Sequence, residues 1–320
     1  MSARPGATWS PMSTRPVVAW SAKALVTGII LWIVLTRVEL SAVTNALSQI
    51  NMWFVVAALG LSLPLGFSGV QRWRAVATAF GEKLSFRAAL IYTWIGLFLN
   101  LGLPVLGLDG LRAWKLHRRG TPLGLAARIV IIDRLCSLVA LLLIIGIGAP
   151  HLANLPGSAW FKVAVIVGLI GGISGLTLLA AGGFFAQSLT HIRDAKRLSQ
   201  LSRDFNHTLF KDRRATAEIL LWGGCNHLCR VAMVVCLALG LGLGLSPRDA
   251  FVLVPASLLI AMVPISLGGW GVREVVFIEA FGLVGIASAN ALVLSMLYGL
   301  IGLVTGLVGG LIWVAERKTV

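Results

Sequence analysis

The chain has 320 residues, of which 58% are hydrophobic and 12% charged, with 27 Lys and Arg against 12 Asp and Glu and a net charge of +15. A soluble domain carries roughly 25% charged residues, so this composition, with a mean hydropathy of +0.90, excludes an ordinary soluble fold and indicates an all-α polytopic membrane protein. The basic excess then belongs to the membrane surface and not to nucleic acid.

In chain order, residues 1–16 are polar and rich in Pro and Ser, the composition of a disordered N-terminus. The apolar run 17–36 has a single early charge, Lys23, which can snorkel to the interface. It is long for a signal-peptide core and has no small-residue cleavage site, so it reads as a retained first span. Further spans are predicted at 53–70, 123–149, 160–186, 216–241 and 287–314. Two other apolar segments, 88–108 and 250–285, do not fit simple crossings. Segment 88–108 lies between Arg72, Arg74, Lys83 and Arg87 on one side and Arg112, Lys115, Arg118 and Arg119 on the other. A full crossing there would export four positive charges, and would also put the seven Lys and Arg of 187–215 outside. A re-entrant hairpin removes the conflict. Asn100, Gly102, Pro104, Gly107 and Gly110 supply helix breaks for it.

Segment 250–285 has 36 residues, too long for one span and short for two, and Pro264, Gly268, Gly269 and Gly271 interrupt it. If it also doubles back, Arg317 and Lys318 and both termini are cytoplasmic. The two breaks, PVLGLDGLR at 104–112 and PISLGGWGVR at 264–273, both run from Pro to Gly-apolar-Arg. The expected fold is therefore six full spans plus two re-entrant helical hairpins. Two membrane repeats, 17–149 and 150–320, have three crossings each, so the second is inverted relative to the first.

GGWGVRE at 268–274 resembles the G-G-x-G-x-R-E motif of the lysylphosphatidylglycerol synthase transmembrane region, also called the flippase-like domain. NLGLPVLGLDGLRAW at 100–114 resembles its N-x-x-x-P…G-D-x-x-R segment. Asp109 and Arg112 are the matching charges, and Leu108 stands where the family usually has glycine. Asp133 and Arg134 resemble its acidic-Arg span. The resemblance covers nearly the whole chain. It implies several spans and lipid handling, often lipid translocation. Full-length synthases add a soluble aminoacyl-transferase domain; this chain ends six residues past its last predicted span, so the expectation is that it is not a synthase by itself.

Charges inside spans cost at least roughly 2.5–3.5 kcal/mol each and usually face the bundle interior. Arg112, Arg128, Arg134, Arg230 and Arg273 lie in or beside the apolar segments, with Asp109, Asp133, Glu274 and Glu279. Near balance points to ion pairs, and Arg230 and the Asp133–Arg134 step read as structural ones. The hairpin arginines read differently, because a half-helix N-terminus beside an Arg can seat a phosphate. The candidate substrate-binding set is Arg112, Arg273, Glu274, Asp109, Asn100, Gly268, Gly269, Gly271, Arg134 and Asp133. These residues would meet at a midplane cavity that takes a phospholipid with an anionic headgroup. No catalytic group, metal or cofactor is assigned. Cys225 and Cys229 share a helix face that His227 does not. The GFSG at 66–69, with Ser68, would need a His within reach to work as a nucleophile. Leu198, Leu201, Phe205 and Leu209, with Arg203 among them, read as an amphipathic helix on the cytoplasmic surface. The reading is a carrier in the cell inner (cytoplasmic) membrane. An integral-membrane transferase using Asp109 or Glu274 as base, and a non-catalytic accessory subunit of a lipid or glycan assembly pathway, are the alternatives. A partner enzyme of lipid biosynthesis and a homo-oligomer both stay open.

Overall fold

A computed structural model of the protein describes residues 25–30, 32, 33, 36, 40–102, 106–185, 193–263, 266 and 269–317. These form twelve α-helices: α1 Leu40–Ser48, α2 Met52–Gly60, α3 Ser62–Ala79, α4 Phe86–Gly102, α5 Leu106–Arg118, α6 Leu123–Asn154, α7 Ala159–Phe185, α8 Arg193–Asn206, α9 Arg213–Gly240, α10 Pro247–Ala261, α11 Val272–Gly282 and α12 Ser288–Arg317. Among the described residues there is no strand. Five continuous helical runs there are long and apolar enough to cross a bilayer: Met52–Ala79, Leu123–Asn154, Ala159–Gly182, Arg213–Gly240 and Ser288–Glu316. The protein is a multi-pass membrane protein, and these runs overlap the second to sixth predicted spans. Most of the predicted first span lies outside the described residues, although 25–30 are helical.

The sequence explains the helix ends. Pro64 cannot donate to the Gly60 carbonyl, and the first long run divides at Leu61 into α2 and α3. Asn51 opens α2 by accepting from Trp53 N at 3.0 Å. Asp212 opens α9 by accepting from Arg214 N at 2.9 Å. Ser246, followed by Pro247, opens α10. His151 at the end of α6 meets Asp249 at the start of α10, with Nε2 2.7 Å from Oδ1. Burial alone would raise the Asp249 carboxyl, but hydrogen bonds with Ser246 and His151 and the charge of Arg248 hold it below the usual carboxylate range.

Among the helices too short to cross, four come in two consecutive pairs. Helices α4 and α5 have 17 and 13 residues, and α10 and α11 have 15 and 11, against the roughly 20 residues a span needs. They pack as two pairs, α4 on α5 and α10 on α11. Pro104, Pro264 and Gly268, on which the two predicted breaks rest, lie outside the described residues. Helix α9 runs through the middle of the bundle and touches α2, α3, α6, α10 and α12. Helix α12 lies close along α4, where a Cβ on Gly309 would strike the Trp94 backbone. Helix α7 is apolar on all sides and largely unburied, as a lipid-facing helix should be.

The core has two parts. One joins α6, α9, α10, α11 and α12 around Phe277, Phe281, Leu237 and Leu253. The other joins α3, α4, α5, α6 and α9 around Trp73, Ile129, Ile132 and Ile219. Phe205 and Leu209 belong to this second part. The amphipathic segment expected to lie on the lipid surface thus turns part of its apolar face onto protein, with Leu198 still exposed. Its polar residues tie it down. Arg128 Nε lies 2.6 Å from Asp204 Oδ2, and Asn206 Nδ2 donates to the Ala180 carbonyl at 2.8 Å.

Candidate functional site

Helices α3 and α6 bring together the first charged cluster. Asp133, 1% exposed, accepts from Arg72 at 2.8 Å (Nε to Oδ1) and 3.2 Å (Nη2 to Oδ2). It accepts a third bond from Arg112 Nη1, also at 3.2 Å. Arg72 Nη1 donates to Ser137 Oγ at 2.9 Å, and Arg112 Nη2 donates to Thr93 Oγ1 on α4 at 3.0 Å. The Arg112 guanidinium carbon lies 4.6 Å from the centroid of the Trp73 ring, a cation–π contact. Two buried guanidiniums thus share one carboxylate, and Arg112 Nε has no partner among the described residues.

The second cluster forms where α11 begins. Gly269 and Gly271 have φ of +83° and +87°, the left-handed region that glycine reaches without strain. This turn places Gly271 as the N-cap, and its N–H donates to Glu274 Oε2 at 2.6 Å. Glu274 Oε1 in turn receives Arg273 Nη2 at 2.7 Å and Ser295 Oγ at 3.1 Å. Arg273 Nε donates to Ser295 Oγ at 3.0 Å. The Arg273 guanidinium carbon stands 4.6 Å from the Trp270 ring centroid and 5.9 Å from that of Tyr298. Gly299 on α12 leaves the space that this guanidinium fills, since a Cβ there would overlap it.

Helix α9 connects the two clusters. Arg230 Nη1 donates to Tyr298 Oη at 2.9 Å, beside Arg273. One turn earlier, Asn226 Nδ2 donates to the Leu65 carbonyl at 2.9 Å and Ser68 Oγ at 3.2 Å on α3. His227 Nε2 lies 3.1 Å from the carbonyl oxygen of Ser137, whose hydroxyl holds Arg72. Arg112 and Arg273 make no direct ion pair or hydrogen bond with each other. What joins them is this chain of polar side chains along α9.

The predicted site residues therefore divide. Arg112 and Asp133 are in the first cluster; Arg273, Glu274, Gly269 and Gly271 are in the second. Asp109 and Arg134 pair with each other at 2.9 Å outside both, where Arg134 is 49% exposed. Adjacent helical residues point about 100° apart, so Asp133 turns inward and Arg134 outward. Asn100, near the end of α4, has a buried Oδ1 without a partner among the described residues. Gly268 lies outside them. Arg112 is the seventh residue of α5 and does not open it; Asp109 sits in the first turn.

Arg230 differs from its expected role as an ion-pair residue. No carboxylate lies within ion-pair distance of it among the described residues, and half-buried Glu279 pairs with none either. Ser68 finds Asn226 as its partner, not His227, and so lacks the contact a serine nucleophile needs. Sequence reasoning missed Arg72, which reads as a cytoplasmic flank charge. A usable signal was present: Val70, Trp73, Val76 and Ala77 keep helical apolar spacing past Arg72, so the helix continues and carries Arg72 inward. Thr93, Ser137, Ser295 and Tyr298 gave no signal, because isolated hydroxyls in apolar helices are common.

A family profile described as the lysylphosphatidylglycerol synthase TM region matches residues 20–310. Comparison with curated proteins finds no match.

Proposed function

The chain belongs to the lysylphosphatidylglycerol synthase TM region family, and on that premise we propose that it is a carrier of a lipid with an anionic headgroup, working in the cytoplasmic membrane with both termini inside. The observation that carries this reading is the charge balance of the connected network: the guanidiniums of Arg72, Arg112, Arg230 and Arg273 are matched by two carboxylates among the described residues, Asp133 and Glu274. Uncompensated cations at membrane depth are costly and mark pathways for charged substrates. A phosphate-bearing headgroup supplies the missing negative charge.

The helix packing supports an inverted repeat, with repeats 17–149 and 150–320. Under that pairing, α4 and α5 correspond to α10 and α11, and α6 to α12. The first arm of each short pair packs on the last helix of the other half, α4 on α12 and α10 on α6. The second arm packs on its own half's last helix, α5 on α6 and α11 on α12, and α3 packs on its counterpart α9. A pseudo-two-fold axis produces this reciprocity. We read both short pairs as re-entrant, with Arg112 of the first and Arg273 of the second in the polar network. An apolar groove of about 560 Å³ between α3, α4 and α12, lined by Leu63, Phe67, Leu90, Trp94, Val308 and Ile312 among others, suits acyl chains. Its wall residue Trp94 is next to Thr93, which holds Arg112.

The test is reconstitution into liposomes with a labelled anionic phospholipid and a zwitterionic one of matched chains. A carrier moves the anionic lipid between leaflets faster than protein-free liposomes do and leaves its mass unchanged. A lipid of altered mass would instead identify a transferase, and transfer no faster than in the controls would overturn the reading.

A further inference from the structure

Helix α9 spans Arg213–Gly240, and Arg230 is ten residues from its nearer end, about 15 Å along the axis. That depth is too great for its head to reach the interface by snorkelling. Its partners are neutral. Nη1 donates to Tyr298 Oη at 2.9 Å, and Nε reaches Asn226 Oδ1 at a long 3.4 Å. Nη2 makes no hydrogen bond among the described residues. The other three arginines of the network each hold a carboxylate directly, two on Asp133 and one on Glu274. Arg230 is therefore the one arginine of the network that holds no carboxylate among the described residues.

Tyr298 adds a second donor. Its oxygen already accepts from Arg230, so its own proton is free to donate to a third group. The ring is buried, and its other face neighbours Phe277 at 6.1 Å between centroids and the Arg273 guanidinium at 5.9 Å. Arg230 Nη2 and the Tyr298 hydroxyl thus form a pair of donors beside a second guanidinium, and neither is bonded to an acid among the described residues.

We infer that Arg230 and Tyr298 are the seat that directly contacts the anionic headgroup, and that Arg112 and Arg273 shape the site while remaining bound to their own carboxylates. The inference rests on the carrier reading and goes further, naming the contact residues and the chemistry they take: a phosphodiester headgroup that carries no cation of its own. A purely structural Arg230 and a ligand-binding one have opposite consequences for stability. If the charge exists for a ligand, the empty protein bears its cost, and Arg230→Met, which keeps the apolar stem length, makes the lipid-free protein more stable. If the charge is structural, the same change lowers the Tm.

The experiment combines native mass spectrometry with thermal unfolding of the purified protein. Phosphatidylglycerol and phosphatidylcholine of matched chains are the lipid probes, and inorganic phosphate is the competitor. The wild type is expected to retain phosphatidylglycerol preferentially. Arg230→Met should weaken that retention roughly tenfold or more while raising the Tm, and Tyr298→Phe should weaken it less, since one neutral donor is lost in place of a charged one. Competition by inorganic phosphate would make the headgroup phosphate sufficient as the ligand; its failure would make the intact lipid necessary, and both results fit the seat. Unchanged preference in Arg230→Met, or a lower Tm with preference intact, would overturn the inference and leave the carrier reading standing. A wild type that does not distinguish the two lipids would remove both.

Discussion

Replacing Asp133 by Asn keeps the side chain's shape and removes the one negative charge between Arg72 and Arg112. In the structure that carboxylate receives three hydrogen bonds, from Arg72 at 2.8 and 3.2 Å and from Arg112 at 3.2 Å. Breaking a buried ion pair from one side costs about 3–5 kcal/mol, because the partner charge is left behind. Here two partner charges are left behind, so the cost of Asp133→Asn lies at or above the top of that range. Arg112→Met is the informative contrast. It leaves Arg72 and Asp133 as a two-bonded neutral pair and strands only the Thr93 hydroxyl, at about 1–3 kcal/mol. Loss of the Trp73 cation–π contact adds about 1–2 kcal/mol. The order of destabilisation should therefore be Asp133→Asn above Arg112→Met, with Arg72→Met between them. The assay is the apparent Tm of each purified variant in one detergent, with fluorescence-detected gel filtration to confirm a monodisperse starting state. Arg112→Met as damaging as Asp133→Asn, or Asp133→Asn indistinguishable from wild type, would refute the shared-carboxylate account.

Gly299→Ala should lower both stability and lipid transfer, since the added Cβ overlaps the Arg273 guanidinium; the same change at Gly302, which faces open space, serves as the control. In a background free of Cys136, Cys225, Cys229 and Cys236, single cysteines at positions 118 and 200 should label from the same side of the membrane, and labelling from opposite sides would remove the re-entrant first pair. The Asp249 carboxyl is held below the usual carboxylate range, so its contribution is present above that range and is lost as pH falls through the depressed value. Asp249→Asn should accordingly narrow the Tm difference between pH 6 and pH 3, and only slightly, because the pair is partly solvated and contributes less than about 1 kcal/mol; an unchanged difference would contradict the linkage. In the second cluster, Arg273→Gln should cost more than the paired change Arg273→Gln with Glu274→Gln, which leaves no buried charge unpaired. Lipid transfer and Tm measured on both variants check this, and equal losses would show that the two side chains are not acting as one pair.

The sequence made the second to sixth spans and the interruption before α11 legible because each rests on a local signal. Spans follow from runs of apolar residues, and the turn before α11 follows from glycines that alone tolerate φ near +85°. Arg112, Arg273, Asp133 and Glu274 were readable as charges in costly places. Their partners were not, because pairing depends on which face of each helix turns inward across large sequence separations. Arg72 and Asp133 are 61 residues apart, and Arg230 and Tyr298 are 68 apart. Asp133 and Arg134, adjacent in sequence, were assigned together, yet the first turns into the bundle and the second toward its surface. Arg72 shows the limit most directly: a charge count treats it as a loop residue, whereas its helical register buries it.

The second cluster also changes what the glycine-rich turn can be for. A helix N-terminus with free N–H groups beside an Arg is an anion seat. At α11, however, the Glu274 carboxylate already sits there, bonded to Gly271 N–H and to Arg273. The glycines are needed to fold the chain tightly enough for that internal carboxylate to reach back, and close packing of Gly271 against Ile30 requires the missing side chain as well. Conformation and packing thus account for these positions with no ligand present. A headgroup that bound at this N-terminus would have to displace Glu274 and leave it buried without a cation. Binding at Arg230 displaces nothing, and it adds the negative charge that the network lacks. On the proposed reading, an anionic lipid would therefore bind at the middle of α9 and not at the glycine-rich turn.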